Sequence, residues 1–288
     1  MSTLGDLAEL VRAPAALSVP GDVVAGAAAA GALGPRTAGL AGASVLLYWA
    51  GMAANDWADR RLDAVERPER PIPSGRVSPA TALGLAAGLT AAGLGLAAVT
   101  GGRRAAAVAI PLAATIWGYD LAAKNTAAGP VVMAACRGLD VLLGATGGRP
   151  VRALPAALTV AAHTVTVTAL SRREVAGADT ALPLRTLAGT ALVALAAARR
   201  STAPATRPDA ALPVALAGWY AARYGGAQAR VAADPSAGRV RAAVGAGITG
   251  LPALQGALTA RAGAGLLGLA VAAAAPLGRR LARRVSPT

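Results

Sequence analysis

The residues best suited to chemistry lie in one segment, 55–78, which reads NDWADRRLDAVERPERPIPSGRVS. If a helix continues through its first part, Asp56, Asp59 and Asp63 lie on one helical face with Asn55 adjacent. Three like charges on one face repel unless a divalent cation lies between them and a phosphate ligand. Mg²⁺ prefers oxygen ligands and usually takes one or two carboxylates together with water and phosphate oxygens. These carboxylates and the arginines that follow predict a clamp for a diphosphate.

The second half of the segment strengthens this interpretation. From Arg70 to Arg76 it reads RPIPSGR, in which two prolines fix the backbone and Gly75 permits a tight turn. The alternative is a solvated helix end, whose acids pair with neighbouring arginines. The complete string favours the diphosphate clamp over that alternative.

The rest of the chain indicates a membrane protein. It is 55% hydrophobic and 15% charged, against roughly 25% charged residues in an average soluble domain. Breaks at Pro, Gly and Arg divide it into stretches close to the roughly 20 residues that a membrane helix needs. The sequence therefore predicts an all-α, polytopic helical bundle of nine transmembrane helices, with ten as the alternative, in a single domain spanning 1–288. The stretches are 18–34, 37–54, 79–100, 104–119, 129–147, 152–170, 182–198, 210–226, 240–258 and 262–278.

Loop charges predict the orientation. With ten spans, sixteen loop Arg and Lys residues fall on the N-terminal side and nine on the other, which places the N-terminus and the 55–78 loop in the cytoplasm. The net charge of +14 does not indicate nucleic-acid binding, because the arginines are spread between apolar stretches and flank no aromatic run. Cys136 is alone, so no intrachain disulfide is expected.

The 55–78 segment resembles the UbiA superfamily of intramembrane prenyltransferases, which have an NDxxDxxxD motif followed by an RPxxxG-type loop. The resemblance covers most of the chain. It implies that Asn55, Asp56, Asp59 and Asp63 hold Mg²⁺ on a prenyl diphosphate and that Arg70 contacts the phosphate. Membrane lipid would surround the prenyl tail.

Two further sites follow the fourth apolar stretch. Tyr119, Asp120 and Lys124 resemble the tyrosine-to-lysine loop of the family, and Lys124 is the only lysine among 28 basic side chains. We interpret Tyr119 and Lys124 as diphosphate contacts, the alternative being a lysine that marks the membrane boundary. Arg137 and Asp140 lie three residues apart within an apolar stretch, where ionisable groups are costly unless they face a cavity or each other. We predict that they line a cavity and that Arg137 binds diphosphate.

The segment 171–180, SRREVAGADT, lies where most of the superfamily has a second aspartate motif, DxxxD. This chain has Glu174 and Asp179 instead, five apart. Both are predicted metal ligands, with Asp179 the weaker. The departure resembles the EboC-like branch of the superfamily.

The resemblance implies Mg²⁺-dependent transfer of a prenyl group to an unidentified acceptor, with Asp56, Asp59, Lys124 and Glu174 as catalytic residues. The expected location is the cytoplasmic (inner) membrane, with the active-site loops in the cytoplasm. A membrane carrier that binds a polyprenyl or diphosphate compound without turnover is the alternative. A CDP-alcohol phosphatidyltransferase is disfavoured, because its aspartate pattern is absent.

Overall fold

A computed structural model describes residues 3–199 and 207–274. These residues form α-helices joined by short loops and turns, with no β-strand among them, so the all-α prediction is confirmed. The helices are α1 (Leu4–Leu10), α2 (Pro20–Ala30), α3 (Pro35–Glu66), α4 (Pro79–Gly118), α5 (Gly129–Gly144), α6 (Pro150–Ser171), α7 (Ala181–Ala198), α8 (Arg207–Tyr220), α9 (Gly226–Ala233), α10 (Ala237–Arg261) and α11 (Gly265–Ala274).

Helix α3 continues beyond its apolar part into the charged motif. It runs without a break from Pro35 to Glu66, so the predicted common face of the motif carboxylates is formed. Pro35 at the first helical turn suits a helix start, because its missing N–H would have no partner there. The first half of α3 packs in the bundle, and the second half presents the carboxylates at one end of it.

The segment that forms α4 reverses direction at Gly102. Gly102 has a φ of +66° inside an otherwise helical run, a conformation that glycine adopts without the penalty of a Cβ. The Trp117 indole N–H donates to the Thr90 hydroxyl at 3.1 Å, so the two halves of α4 lie side by side. They correspond to the predicted stretches 79–100 and 104–119.

Small residues let the helices approach closely. A Cβ on Gly26 of α2 would overlap the carbonyl oxygen of Val141 in α5, and a Cβ on Gly144 would overlap that of Val23. Such contacts through small residues are typical of helix pairs in membranes. These glycines allow α2 to pack closely against α5. The two helices supply the deepest polar residues described below.

Five helical segments have the length and apolar composition needed to cross a membrane, as expected of an integral membrane protein. Stretches 18–34 and 210–226 form shorter helices, and 262–278 forms α11 as far as its last described residue, 274. The arginines at 279–284, which contribute to the predicted orientation, lie outside the described residues. The choice between nine and ten spans stays a prediction. The five segments are Pro35–Glu66, Pro79–Ala123, Gly129–Gly147, Pro150–Ser171 and Ala181–Ala198.

The polar loops gather at the end of the bundle where α3 finishes. Arg172 donates to the backbone oxygen of Thr126 at 2.7 Å, and the Ala178 N–H donates to the Pro235 carbonyl at 3.0 Å. The loops after α4, α6 and α9 therefore share one face, as predicted for the first two.

Candidate active site

Two of the motif carboxylates are bound by guanidinium groups, among which Arg67 is the most distant, with Nη1 3.8 Å from Asp63 Oδ1. Arg12 Nη2 lies 2.8 Å from Asp56 Oδ1, and Arg70 Nη1 lies 3.4 Å from the same oxygen. Arg70 Nη1 is also 2.6 Å from Asp63 Oδ2. The Asp56 and Asp63 side chains are only 6% and 3% exposed, so this network lies largely out of water, where charges interact more strongly.

The third motif carboxylate is paired with the only lysine. Lys124 Nζ lies 2.6 Å from Asp59 Oδ1, and it is held there by the helical turn Tyr119–Ala123 that follows α4. Beside it, the Asn55 side-chain amide donates to Asp120 Oδ1 at 3.0 Å, which leaves the Asn55 amide oxygen available as a ligand. The structure thus brings the two predicted diphosphate sites together. We call Arg12, Arg70, Lys124, Asp56, Asp59 and Asp63 the charged cluster.

A tight turn positions Arg70. Gly75 has the positive φ of +76° that the sequence predicts for this loop, and the Ser74 hydroxyl donates to the Arg70 carbonyl at 2.6 Å. The Val77 N–H closes the loop onto the Pro71 carbonyl at 2.8 Å. The loop therefore holds the Arg70 backbone rigidly beside the end of α3.

The N-terminal segment folds over the charged cluster. Arg76 Nη1 pairs with Asp6 Oδ1 at 2.8 Å and with Glu9 Oε2 at 2.7 Å, which fastens α1 to the 70–76 loop. Arg12, just after α1, has a φ of +48°. Such a backbone is costly for a residue with a Cβ and persists only where its surroundings enforce it. The strained backbone directs the Arg12 side chain to Asp56.

A cavity of about 450 Å³ extends from the charged cluster into the bundle. Arg12, Tyr119 and Asp120 line it near the cluster, and its walls are largely apolar. Its far end includes Ser44, twelve residues before Asp56 on α3 and hence about 18 Å deeper at 1.5 Å per residue. The cavity thus joins a charged mouth to a site well inside the bundle.

The far end of the cavity is polar. Arg137 and Asp140 both line it, as predicted, but they are not paired with each other. Arg137 Nε lies 2.8 Å from Asp22 Oδ2, and the Ser44 hydroxyl donates to the Asp140 carboxylate, with contacts of 2.6 and 2.7 Å to its two oxygens. Arg137 is therefore paired with Asp22, and its predicted contact with diphosphate stays a prediction.

The two predicted ligands of the 171–180 loop have different surroundings. Glu174 is half-buried at the same face as the charged cluster. Burial raises the pKa of its carboxyl above the ordinary value, and the nearby Arg241 and Arg67 guanidinium groups offset part of that rise. Asp179 is exposed and accepts a hydrogen bond from the Leu182 N–H at 2.8 Å, in the first turn of α7. Glu174 remains the stronger candidate ligand.

The donor set fits a metal that binds together with phosphate. In the described ranges, no three Asp, Glu, His or Cys side chains are grouped closely enough to hold a metal ion. The motif does supply two buried carboxylates that share Arg70, together with Asp59 and the Asn55 amide oxygen. Mg²⁺ needs only one or two carboxylates when water and phosphate oxygens complete its shell. These side chains do not fit a metal site in which the protein supplies every ligand.

No role in binding or catalysis is predicted for Arg12, Asp22 or Ser44 from the sequence. The sequence does indicate that Asp22 has a polar partner, because a carboxylate inside an apolar stretch is costly without one. No such indication exists for Arg12 and Ser44, since each acquires its role through a contact with a distant part of the chain.

Several curated proteins are similar to parts of this chain. It is 38% identical over 139 residues to the digeranylgeranylglyceryl phosphate synthase of Methanopyrus kandleri, covering 48% of this chain and 51% of that protein. It is 44% identical over 91 residues to the enzyme of the same name from Ignicoccus hospitalis, covering 31% and 30%. Over 25 residues it is 68% identical to the bacteriochlorophyll synthase 33 kDa chain of Rhodobacter capsulatus, covering 9% and 8%. The chain thus spans about half the length of the Methanopyrus protein and less of the others.

The fold is also shared. A solved structure described as giving insight into digeranylgeranylglyceryl phosphate synthase in membranes matches 90% of this chain and 98% of its own, with a TM-score of 0.65 and 15% identity. The model of the UbiA prenyltransferase family matches residues 18–282, which include the charged cluster except Arg12. The chain belongs to the UbiA prenyltransferase family.

Proposed function

We propose that this protein transfers a prenyl group from a prenyl diphosphate to an acceptor within the membrane. The observation that supports this most is the charged cluster at the mouth of a largely apolar cavity. Arg12, Arg70 and Lys124 converge on the motif carboxylates, and this arrangement suits a charged diphosphate attached to a hydrocarbon tail. The names of the relatives, which are synthases of prenylated lipids and pigments, agree with it.

The residues that would hold Mg²⁺ are Asn55, Asp56, Asp59 and Asp63, with Glu174 from the facing loop. Bound there with the donor, Mg²⁺ would supply positive charge to the departing diphosphate. Arg12, Arg70 and Lys124 would add donors aimed at the same oxygens. The bond between the allylic carbon and the diphosphate oxygen breaks, and its electron pair leaves with the diphosphate.

The acceptor supplies the electron pair of the new bond. An oxygen nucleophile would attack the allylic carbon, and its proton would be taken up by the departing diphosphate, which balances the reaction. Tyr119, which lines the cavity beside the charged cluster, would orient the diphosphate. By the loop charges, the reaction takes place at the cytoplasmic face of the inner membrane. Membership of the EboC-like branch and a single domain across 1–288 stay predictions.

The test is transfer by the protein reconstituted in liposomes. Labelled geranyl, farnesyl and geranylgeranyl diphosphates are supplied with Mg²⁺ and a lipid extract of the host, and released diphosphate and prenylated products are measured. We expect Asp56→Asn and Asp59→Asn to lower product formation by about 100-fold or more, the scale of losing electrostatic stabilisation at a reacting centre. Asp234→Asn, an exposed acid that pairs with Arg239, is the matched control and should leave activity unchanged.

The carrier alternative gives a different result in the same assay. A carrier would bind the labelled donor without releasing diphosphate, whatever the lipid extract contains. Wild-type rates in the Asp56→Asn and Asp59→Asn proteins would contradict the proposed site.

A further inference from the structure

The far end of the cavity has a polar floor that donor binding does not require. We define the cavity floor as Ser18, Ser44, Arg137 and Asp140, which line the cavity, with Asp22 and Gln255 behind them. Asp22 and Gln255 have no exposed surface. Buried polar groups are costly unless each has a hydrogen-bonding or ionic partner. The floor atoms that have no such partner therefore indicate which ligand the floor can bind.

Arg137 is held by two partners. Its Nε pairs with Asp22 at 2.8 Å, and its Nη2 donates to the Ser18 carbonyl at 3.1 Å. Gln255 Nε2 donates to the same carbonyl at 2.8 Å and to Asp22 Oδ1 at 2.7 Å. Asp22 therefore neutralises the guanidinium charge and fixes its orientation. Arg137 can still donate from Nη1, but it is a poor counter-ion for a second anion.

Asp140 is differently placed. Its carboxylate accepts the Ser44 hydroxyl hydrogen and is 5% exposed. Within residues 3–199 and 207–274, no cation lies within ion-pair distance of it. The floor therefore holds two carboxyl groups against one guanidinium, and the carboxyl group without a cation faces the cavity. Asp140 supplies no positive charge to a ligand carboxylate or phosphate, whereas its oxygens can form hydrogen bonds with a hydroxyl group.

The hydrocarbon tail of the donor fits an apolar part of the cavity better than it fits the polar floor. Val244, Ile248 and Leu251 of α10 form an apolar wall of the cavity, and Ile248 is 52% exposed. This wall offers the prenyl chain apolar contacts apart from the floor. Covering the floor with hydrocarbon would bury a carboxylate against apolar carbon, which is unfavourable. The floor is left for the acceptor.

We propose that the acceptor is a neutral molecule with more than one hydroxyl group. One hydroxyl donates to Asp140 and can accept from Arg137 Nη1, while another attacks the allylic carbon and gives an ether. Because the floor lies about 18 Å deeper than Asp56, the acceptor must be long enough to extend from the floor towards the charged cluster. The inference rests on the proposed prenyl transfer and names its acceptor class. It also separates this chain from relatives whose printed names contain a glyceryl phosphate.

The charge of the product tests the inference without knowledge of the acceptor. Cells that express the wild type or Asp56→Asn are fed a labelled isoprenoid precursor, and their lipid extracts are separated on an anion exchanger before mass spectrometry. We expect a labelled product that depends on the wild type and does not bind the exchanger. A wild-type-dependent product found only in the bound, anionic fraction would overturn the inference and leave prenyl transfer intact. The absence of any such product from both fractions would overturn the proposed function, and the inference with it.

Variants of the floor test its role. Asp140→Asn should lower the neutral product by about tenfold or more, the scale of a hydrogen bond to a charged group, while the Kd for geranylgeranyl diphosphate changes less than twofold. Ser44→Ala, which frees the carboxylate but keeps its charge, should cause a smaller loss. If Asp140→Asn does not accumulate in the membrane, Ser44→Ala decides the point. If a folded variant forms as much neutral product as the wild type, the role of the floor in acceptor binding is refuted. The role is also refuted if product formation and donor binding are weakened equally.

Discussion

Arg12 offers a way to separate the contribution of the charged cluster to catalysis from its contribution to stability. Arg12→Met keeps the length of the side chain but removes the guanidinium that lies 2.8 Å from Asp56. Asp56 then still has Arg70 at 3.4 Å. Because the Arg12 side chain is 41% exposed, its ion pair should contribute at most about 1 kcal/mol to folding. We therefore expect a fall in Tm of no more than about 4 °C.

The expected effect on transfer is much larger. If the Arg12 guanidinium faces the departing diphosphate, its removal should lower kcat/KM by about 100- to 1,000-fold, or about 2.7–4 kcal/mol. Product formation at several donor concentrations gives kcat/KM, and thermal scanning of tryptophan fluorescence gives Tm. Arg12→Lys should recover only part of the loss, since an ammonium cannot reproduce the geometry of the guanidinium fork.

Arg76→Met is the matched control for Arg12. Arg76 fastens the same N-terminal segment through Asp6 and Glu9 but does not belong to the charged cluster. If Arg12 acts through its charge, Arg76→Met keeps most of the activity. Equal losses in the two variants would show that the position of α1 matters and not the Arg12 charge. A kcat/KM for Arg12→Met within threefold of wild type would refute the reasoning outright.

Three further predictions concern the charged cluster and its facing loop. Lys124→Met should lower kcat/KM by about 100-fold or more. Lys124→Arg should not restore it, because a planar guanidinium differs in shape from the compact ammonium that lies 2.6 Å from Asp59; product formation measures both. Burial raises the pKa of Glu174, so its carboxylate form is lost at a higher pH than that of an exposed glutamate. The kcat/KM of the wild type should therefore fall on acidification at a pH above the ordinary glutamate value of about 4.3, and Glu174→Gln should remove the part of this fall that Glu174 causes. An unchanged pH profile in an active Glu174→Gln protein would contradict the role. Mg²⁺ should bind the protein weakly alone and about tenfold or more tightly when pyrophosphate is present, as measured by calorimetry; equal affinities would argue against a shared site.

Much of the fold could be predicted because its signals are local. Apolar stretches between Pro, Gly and Arg predicted helices, and the 3.6-residue period placed Asp56, Asp59 and Asp63 on one face of a helix that does continue through them. The RPIPSG string predicted a tight turn, and Gly75 has the positive φ that such a turn requires. Each inference needed only a few neighbouring residues.

The partners of the charged residues could not be predicted in this way. No local pattern shows that Asp22, in a helix far away in sequence, lies 2.8 Å from Arg137. That contact depends on glycines that let α2 touch α5, a property of two helices and not of either one. Arg12 reaches Asp56 only because its backbone adopts a φ of +48°, which its residue type does not favour.

The pairing of charges in the cluster implies an order of events. Arg12, Arg70 and Lys124 balance the three motif carboxylates, so the ligand-free cluster has a formal charge near zero. A diphosphate that entered alone would meet carboxylates whose cations are already engaged, and a divalent cation alone would compete with those same cations. If metal and diphosphate entered together, the motif carboxylates would be the residues to hold the metal, and Arg12, Arg70 and Lys124 would be released to bind the phosphate oxygens. On that proposal, the ion pairs of the ligand-free protein keep its buried carboxylates neutralised until the donor binds.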